Sequence, residues 1–161
     1  MKNLTTSEIA RQNVLNNKYA LEETQKAIGL RGIIFEGELK FTKQQLSSFF
    51  EVSDRTINSC LLRNEKELRD NGYEVIVGNR LKDFKLAFAI NDDREVNFLI
   101  KSNKLGIFNF RAFINIAMLL SKSERAREVR SLVLDIVIDT INKRTGGNTK
   151  YINQRDEDFV F

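Results

Sequence analysis

Within Ser53–Arg63, SDRTINSCLLR, the side chains of Ser53, Asp54, Arg55, Thr56, Asn58, Ser59 and Arg63 are all short or planar hydrogen-bonding groups. Arginine can pair bidentately with guanine and asparagine with adenine, so this set suits the reading of base edges in a major groove better than bond-making. Ile57, Cys60 and Leu61 recur between them at helical spacing. One helix would therefore carry an apolar stripe on one side and these groups on the other. Just upstream, Thr42, Lys43 and Gln44 supply a hydroxyl, an ammonium and an amide. They stand at the expected start of a preceding helix, where backbone N–H groups favour phosphate.

Catalytic chemistry has few carriers. The chain has no histidine and one cysteine, Cys60. Cys/His zinc sites and Ser-His-Asp or Cys-His nucleophiles are thereby excluded within one chain. The only Gly-Gly pair, Gly146–Gly147, follows a helical pattern rather than opening one, so no phosphate-cradling glycine loop is present. Asp92–Asp93 and Asp156–Glu157–Asp158 read as solvated loop carboxylates. The expectation is a protein that binds without catalysing, and that needs neither cofactor nor metal.

The elements that must position the binding groups are legible. Thr42 can cap a first helix, with Gln45 completing a capping box, and Leu46, Phe49 and Phe50 share its apolar face. Glu51–Val52–Ser53 breaks the period, and Ser53 can cap the second helix. Phe41–Arg63 is therefore a helix-turn-helix with Ser53–Arg63 as its reading helix. Leu62–Asp70 is expected to continue that helix until Gly72 closes it. Tyr73–Val77 and Leu81–Phe88, around Gly78–Asn79–Arg80, read as a second hairpin, a wing. Arg80 would stand at its tip with Lys82 and Lys85 nearby, placed to touch flanking phosphates.

The fold class expected is α+β, mainly helical: a winged helix-turn-helix with short β-hairpins, an N-terminal helix and a C-terminal helical hairpin. Residues 1–40 would form the N-terminal helix (Thr5–Ile28, weakened at Asn16–Asn17) and a hairpin turning at Glu36–Gly37–Glu38. Residues 41–88 would be the winged helix-turn-helix. Residues 89–145 would hold a loop (Ala89–Glu95), a strand pair (Val96–Ser102 with Leu105–Phe110) and the helical hairpin. That hairpin has one helix capped by Asn109 and another, capped by Ser123, running to about Arg144. Residues 146–161 would be a flexible tail. The single cysteine fits a cytoplasmic protein, and no apolar run is long enough to span a bilayer.

Leu132–Ile141 is apolar over most of a helical circumference, which predicts a homodimer formed through the last helix. The net charge is +4. Ala89–Thr145 holds ten basic against seven acidic residues, whereas Phe41–Phe88 holds eight against seven. Arg125, Arg127 and Arg130 crowd the first turns of the last helix, where the dipole disfavours cations. They are candidates for secondary phosphate contacts on double-stranded DNA.

Phe41-Thr-x-x-Gln-Leu-x-x-Phe-Phe-x-Val followed by Arg55-Thr56-Ile57 resembles the N-terminal helix-turn-helix of virulence-associated RhuM-type proteins. Asn109-Phe-Arg-Ala-Phe-x-x-x-Ala-Met-Leu-Leu, then Ser121-Lys-Ser-Glu-Arg-Ala-Arg-Glu-Val-Arg, is similar to the helical hairpin of phage antirepressors and related prophage DNA-binding proteins. The resemblance implies a DNA-binding transcriptional regulator of mobile elements, in a family whose chains are commonly longer. The alternative is an antirepressor or antitoxin-like module that binds another protein. Two positions depart from a helix-turn-helix pattern: Ser47 replaces alanine, and Glu51 replaces glycine in a turn that favours positive φ.

Overall fold

A computed structural model describes residues 4–91 and 101–144. The expected loop beyond Asn91, most of the strand Val96–Ser102 and the tail 146–161 lie outside the described residues. The chain divides into two compact units, Leu30–Phe113 and the combination of Met1–Gly29 with Ile114–Phe161.

The first unit is built on a four-stranded antiparallel sheet. Strands β1 (Ile33–Phe35) and β2 (Glu38–Thr42) form the hairpin expected from the sequence. Glu36 and Gly37 both take positive φ, 54° and 78°, as a two-residue turn matched to strand twist requires. After β2 come helices α3 (Lys43–Phe50), α4 (Asp54–Arg63) and α5 (Glu65–Asp70), then strand β3 (Tyr73–Val77). The expected single helix through Asp70 is broken at Asn64, whose side chain turns back to donate to the Cys60 carbonyl at 3.0 Å.

Leu81–Phe88, read as the second strand of a wing, belongs instead to helix α6 (Gly78–Asn91), which also takes in Ala89–Asn91 of the expected loop. Leu81, Phe84 and Phe88 recur at helical spacing. Their side chains bury against Ile33, Phe35, Ile76 and Ile107 on one face of the sheet, and this packing overrides the local β-forming character of the segment. The strand that pairs with β3 is β4 (Lys104–Phe108), in register from Tyr73↔Phe108 to Val77↔Lys104. Strand β4 also pairs with β2 at Phe41↔Phe108 and Thr42↔Ile107, giving the order β1-β2-β4-β3. The other face holds an aromatic cluster. Phe113 stacks on Phe50, with centroids 5.0 Å apart, and lies within 5.5 Å of Phe41, Phe49 and Phe110.

Phe113 stands near the start of helix α7 (Phe110–Leu119), which Asn109 caps through the Ala112 N–H at 2.9 Å. In the second unit, the Asn16–Asn17 weakness resolves into two helices, α1 (Glu8–Leu15) and α2 (Lys18–Ile28). Asn17 caps α2 and Gly29 ends it in the left-handed region. Helix α8 (Glu124–Arg144) starts at the Ser123 cap and packs on α1 and α2. Its buried stripe is Ala126, Val129, Val133 and Val137. Val133 and Val137 are thus covered within one chain, where a partner subunit had been expected to supply the cover. No described helix is long and apolar enough to cross a membrane.

Candidate nucleic-acid interface

Strand β2 delivers the chain directly into α3 through a capping box. The Thr42 hydroxyl accepts from the Gln45 N–H at 3.2 Å, and the Gln45 side chain accepts from the Thr42 N–H at 2.9 Å. Thr42 is therefore buried and committed to its own helix. Its neighbours Lys43 and Gln44 form the first residues of α3.

The turn that follows takes the form the sequence implied. Glu51 sits at φ 56°, ψ 46°, the left-handed conformation that glycine would occupy without strain. The Val52 N–H closes the turn on the Ser47 carbonyl at 3.0 Å. Ser47 is buried, and its hydroxyl lies 2.7 Å from Asp54 Oδ1 and 3.0 Å from the Gln44 carbonyl, one proton shared between two acceptors. This contact pins the start of α4 to α3. Asp54 is thereby a positioning residue. Ser53 caps α4 through the Thr56 N–H at 3.2 Å, and its hydroxyl meets that of Thr56 at 3.0 Å.

Helix α4 buries Ile57, Cys60 and Leu61 and leaves Arg55, Thr56, Asn58 and Arg63 exposed, with Ser59 half-buried. Lys43 Nζ donates to Asn58 Oδ1 at 2.8 Å, bridging the start of α3 to the outward face of α4. The Asn58 amide N–H groups remain as donors, and its oxygen keeps a second lone pair. Leu62, which the sequence reading left aside, is 79% exposed on this same face.

Beside the bridge lies a cavity of about 490 Å³. Its lining includes Lys43, Asn58, Arg69, Tyr73 and Lys104, together with the carboxylates Asp54 and Glu65. Arg69 is held by Glu65 at 2.9 Å and lies over the Tyr73 ring, 5.5 Å from its centroid. Burial pushes the Tyr73 hydroxyl above its ordinary pKa. Lys104 is exposed and forms no ion pair among the described residues. Nothing local in the sequence marked Lys104, because its position depends on the pairing of β4 with β3.

No protein family, curated protein or solved structure matches this chain.

The arrangement of charges corrects several expectations. Arg80 is not at a wing tip. From the first turn of α6 it donates to both Glu36 oxygens, at 2.6 and 3.0 Å, and to Glu74 at 2.9 Å. Those hydrogen bonds hold the Glu36 and Glu74 carboxyls below their ordinary pKa values. Arg80 thereby ties α6 to the β1–β2 turn and to β3, its charge offset by two carboxylates. Lys82 follows it on α6 and is exposed.

Arg125, Arg127 and Arg130 belong to the other unit. Arg130 reaches back to the end of α7, donating to the Ala117 and Leu120 carbonyls at 2.7 and 2.9 Å. Burial lowers its pKa. The positive charge that looked misplaced at the N-terminus of α8 therefore satisfies the C-terminus of α7, where the dipole favours it. Arg130 thus caps the C-terminal end of α7. Arg127 is exposed and pairs with Glu124 at 3.5 Å, while Arg125 is half-buried.

Proposed function

We propose that this chain is a sequence-specific DNA-binding regulator in which α4 reads the major groove and the start of α3 touches the backbone. The observation that carries the reading is the outward face of α4. Arg55, Asn58 and Ser59 stand on a helix whose opposite side is fixed in the core and whose start is pinned by the Ser47–Asp54 contact. Bidentate groups on a rigid helix are what base-edge discrimination needs. The winged form of the motif is supported by topology. Strand β2 precedes α3, and β3 and β4 pair after α4, with α6 inserted where a wing would turn.

Lys43, Gln44 and Lys104 are the backbone contacts in this reading, in place of Arg80. The resemblance to regulators of prophage and mobile elements supports the same class. A homodimer on a two-fold operator fits this class. On α8 such a dimer would use one of two half-buried edges, Leu132 with Ile136 or Leu134 with Ile138, rather than Val133 and Val137.

The test is selection of binding sites from random duplex DNA with the full chain. A consensus is expected. Arg55→Ala and Asn58→Ala are each expected to cost about 1–3 kcal/mol on that consensus and little on random DNA. Equal weakening on all sequences would demote both residues to backbone contacts. Failure to select any sequence would sink the reading and leave a protein-binding module.

A further inference from the structure

Arg55, Asn58, Ser59 and Leu62 occupy positions i, i+3, i+4 and i+7 of α4. A helix lying in a major groove presents this same set to base edges. Three of the four are hydrogen-bonding groups and the fourth is aliphatic. The apolar stripe Ile57, Cys60 and Leu61 lies on the opposite side of the helix, so Leu62 adds nothing to the core, and its 79% exposure agrees. Helix propensity does not call for it either, since lysine, glutamine or arginine would hold the helix nearly as well.

We propose that Leu62 reads the C5-methyl group of a pyrimidine, either thymine or 5-methylcytosine. The inference rests on the DNA-binding reading above and adds to it a specific chemical feature of the site. In the major groove the C5-methyl is the apolar feature of a base edge, and apolar side chains are its natural partners. Seven residues at 1.5 Å rise place Leu62 about 10 Å beyond Arg55 along the helix axis, about three base-pair steps. The methyl-bearing pyrimidine therefore belongs about three base pairs from the guanine paired by Arg55. Hydrogen bonding fixes the bases read by Arg55 and Asn58, and the aliphatic side chain adds a contact that a hydrogen-bond code alone does not contain.

The experiment uses the full chain and its selected duplex site, with each thymine singly replaced by deoxyuridine and each cytosine by 5-methylcytosine. If the base in question is thymine, uracil at that one position should weaken the wild type about fourfold, the worth of one buried methyl. If it is cytosine, methylation should strengthen binding by a similar factor. Leu62→Ala should bind both members of the pair equally while keeping the discrimination due to Arg55, and Leu62→Met should restore methyl sensing. Circular dichroism checks that both variants fold. A site with no methyl-sensitive position overturns the inference and leaves the DNA-binding reading standing. Full methyl discrimination by Leu62→Ala has the same effect. A change in sedimentation of DNA-free Leu62→Ala would assign the residue to self-contact and likewise overturn it. A wild type that selects no sequence overturns the parent reading, and this inference falls with it.

Discussion

Glu51 shows how one residue can register the demands of a turn. Its left-handed backbone is required for α3 to stop and α4 to start within three residues, yet its side chain gives it no intrinsic right to that conformation. A non-glycine residue held there stores about 1–3 kcal/mol of strain. Glycine would release it, at an entropic cost of roughly 0.5–1 kcal/mol in the unfolded chain. Glu51→Gly is therefore expected to raise stability by up to about 2 kcal/mol in urea denaturation, with the selected DNA sequence unchanged. A loss of stability would mean that the carboxylate makes a favourable contact outweighing the strain. Ser47 is the counterpart. It is small enough to sit buried between the helices, and its hydroxyl ties them together where alanine could only fill space.

At the scale of elements, the least expected contact is Arg130 on the end of α7. Removing it strips two carbonyls of a charged donor in a partly buried place. Arg130→Gln is expected to cost about 1–3 kcal/mol in thermal or urea unfolding, whereas Arg127→Gln, on an exposed pair, should stay within about 0.5 kcal/mol. Equal effects would show that the cap contributes no more than a surface charge. Most elements were legible because their signals are local. The capping box at Thr42, the cap at Ser53, the hairpin at Glu36–Gly37 and the caps at Asn109 and Ser123 are each set within four residues and stand where the sequence put them. Strand pairing was not legible. Leu81–Phe88 mixes strand-like clustering with helical spacing, and only the presence of β1 and β4 beneath it selects the helix. The candidate site divides along the same line. Arg55, Asn58 and Ser59 could be read from one helix, while Lys104 depends on a partner strand nearly thirty residues away. The intrachain partners of Arg80 and Arg130 were not legible, because charge is visible in a sequence and its partners are not.

For the whole molecule, the modest net charge of +4 means that affinity for a polyanion has to come from placement rather than from bulk field. Lys43 and Lys104 line one cavity and form no ion pair among the described residues, whereas Arg80 is paired with Glu36 and Glu74. Substituting both lysines with glutamine is expected to weaken binding on every sequence. It should also reduce the slope of log K against log salt by about 0.9 for each lost phosphate contact. Arg80→Gln should leave that slope as it is. The reverse pattern would move the backbone contacts onto Arg80 and α6.

The position of β4 in the middle of the sheet has a consequence for the newborn chain. Its partner residues on β2 leave the ribosome first, and Ile107 follows Thr42 only about 65 residues later. At translation rates of about 5–20 residues per second, the β1–β2 hairpin waits for several seconds with one edge unpaired. Strand β3 waits as well, though more briefly. During that interval α3 and α4, whose contacts are local, can already form, while the β2 edge that β4 will fill is open to pairing with another chain. Late arrival of the central strand thus sets a vulnerable period in biogenesis, one that ends when residues Lys104–Phe108 slot in between their neighbours.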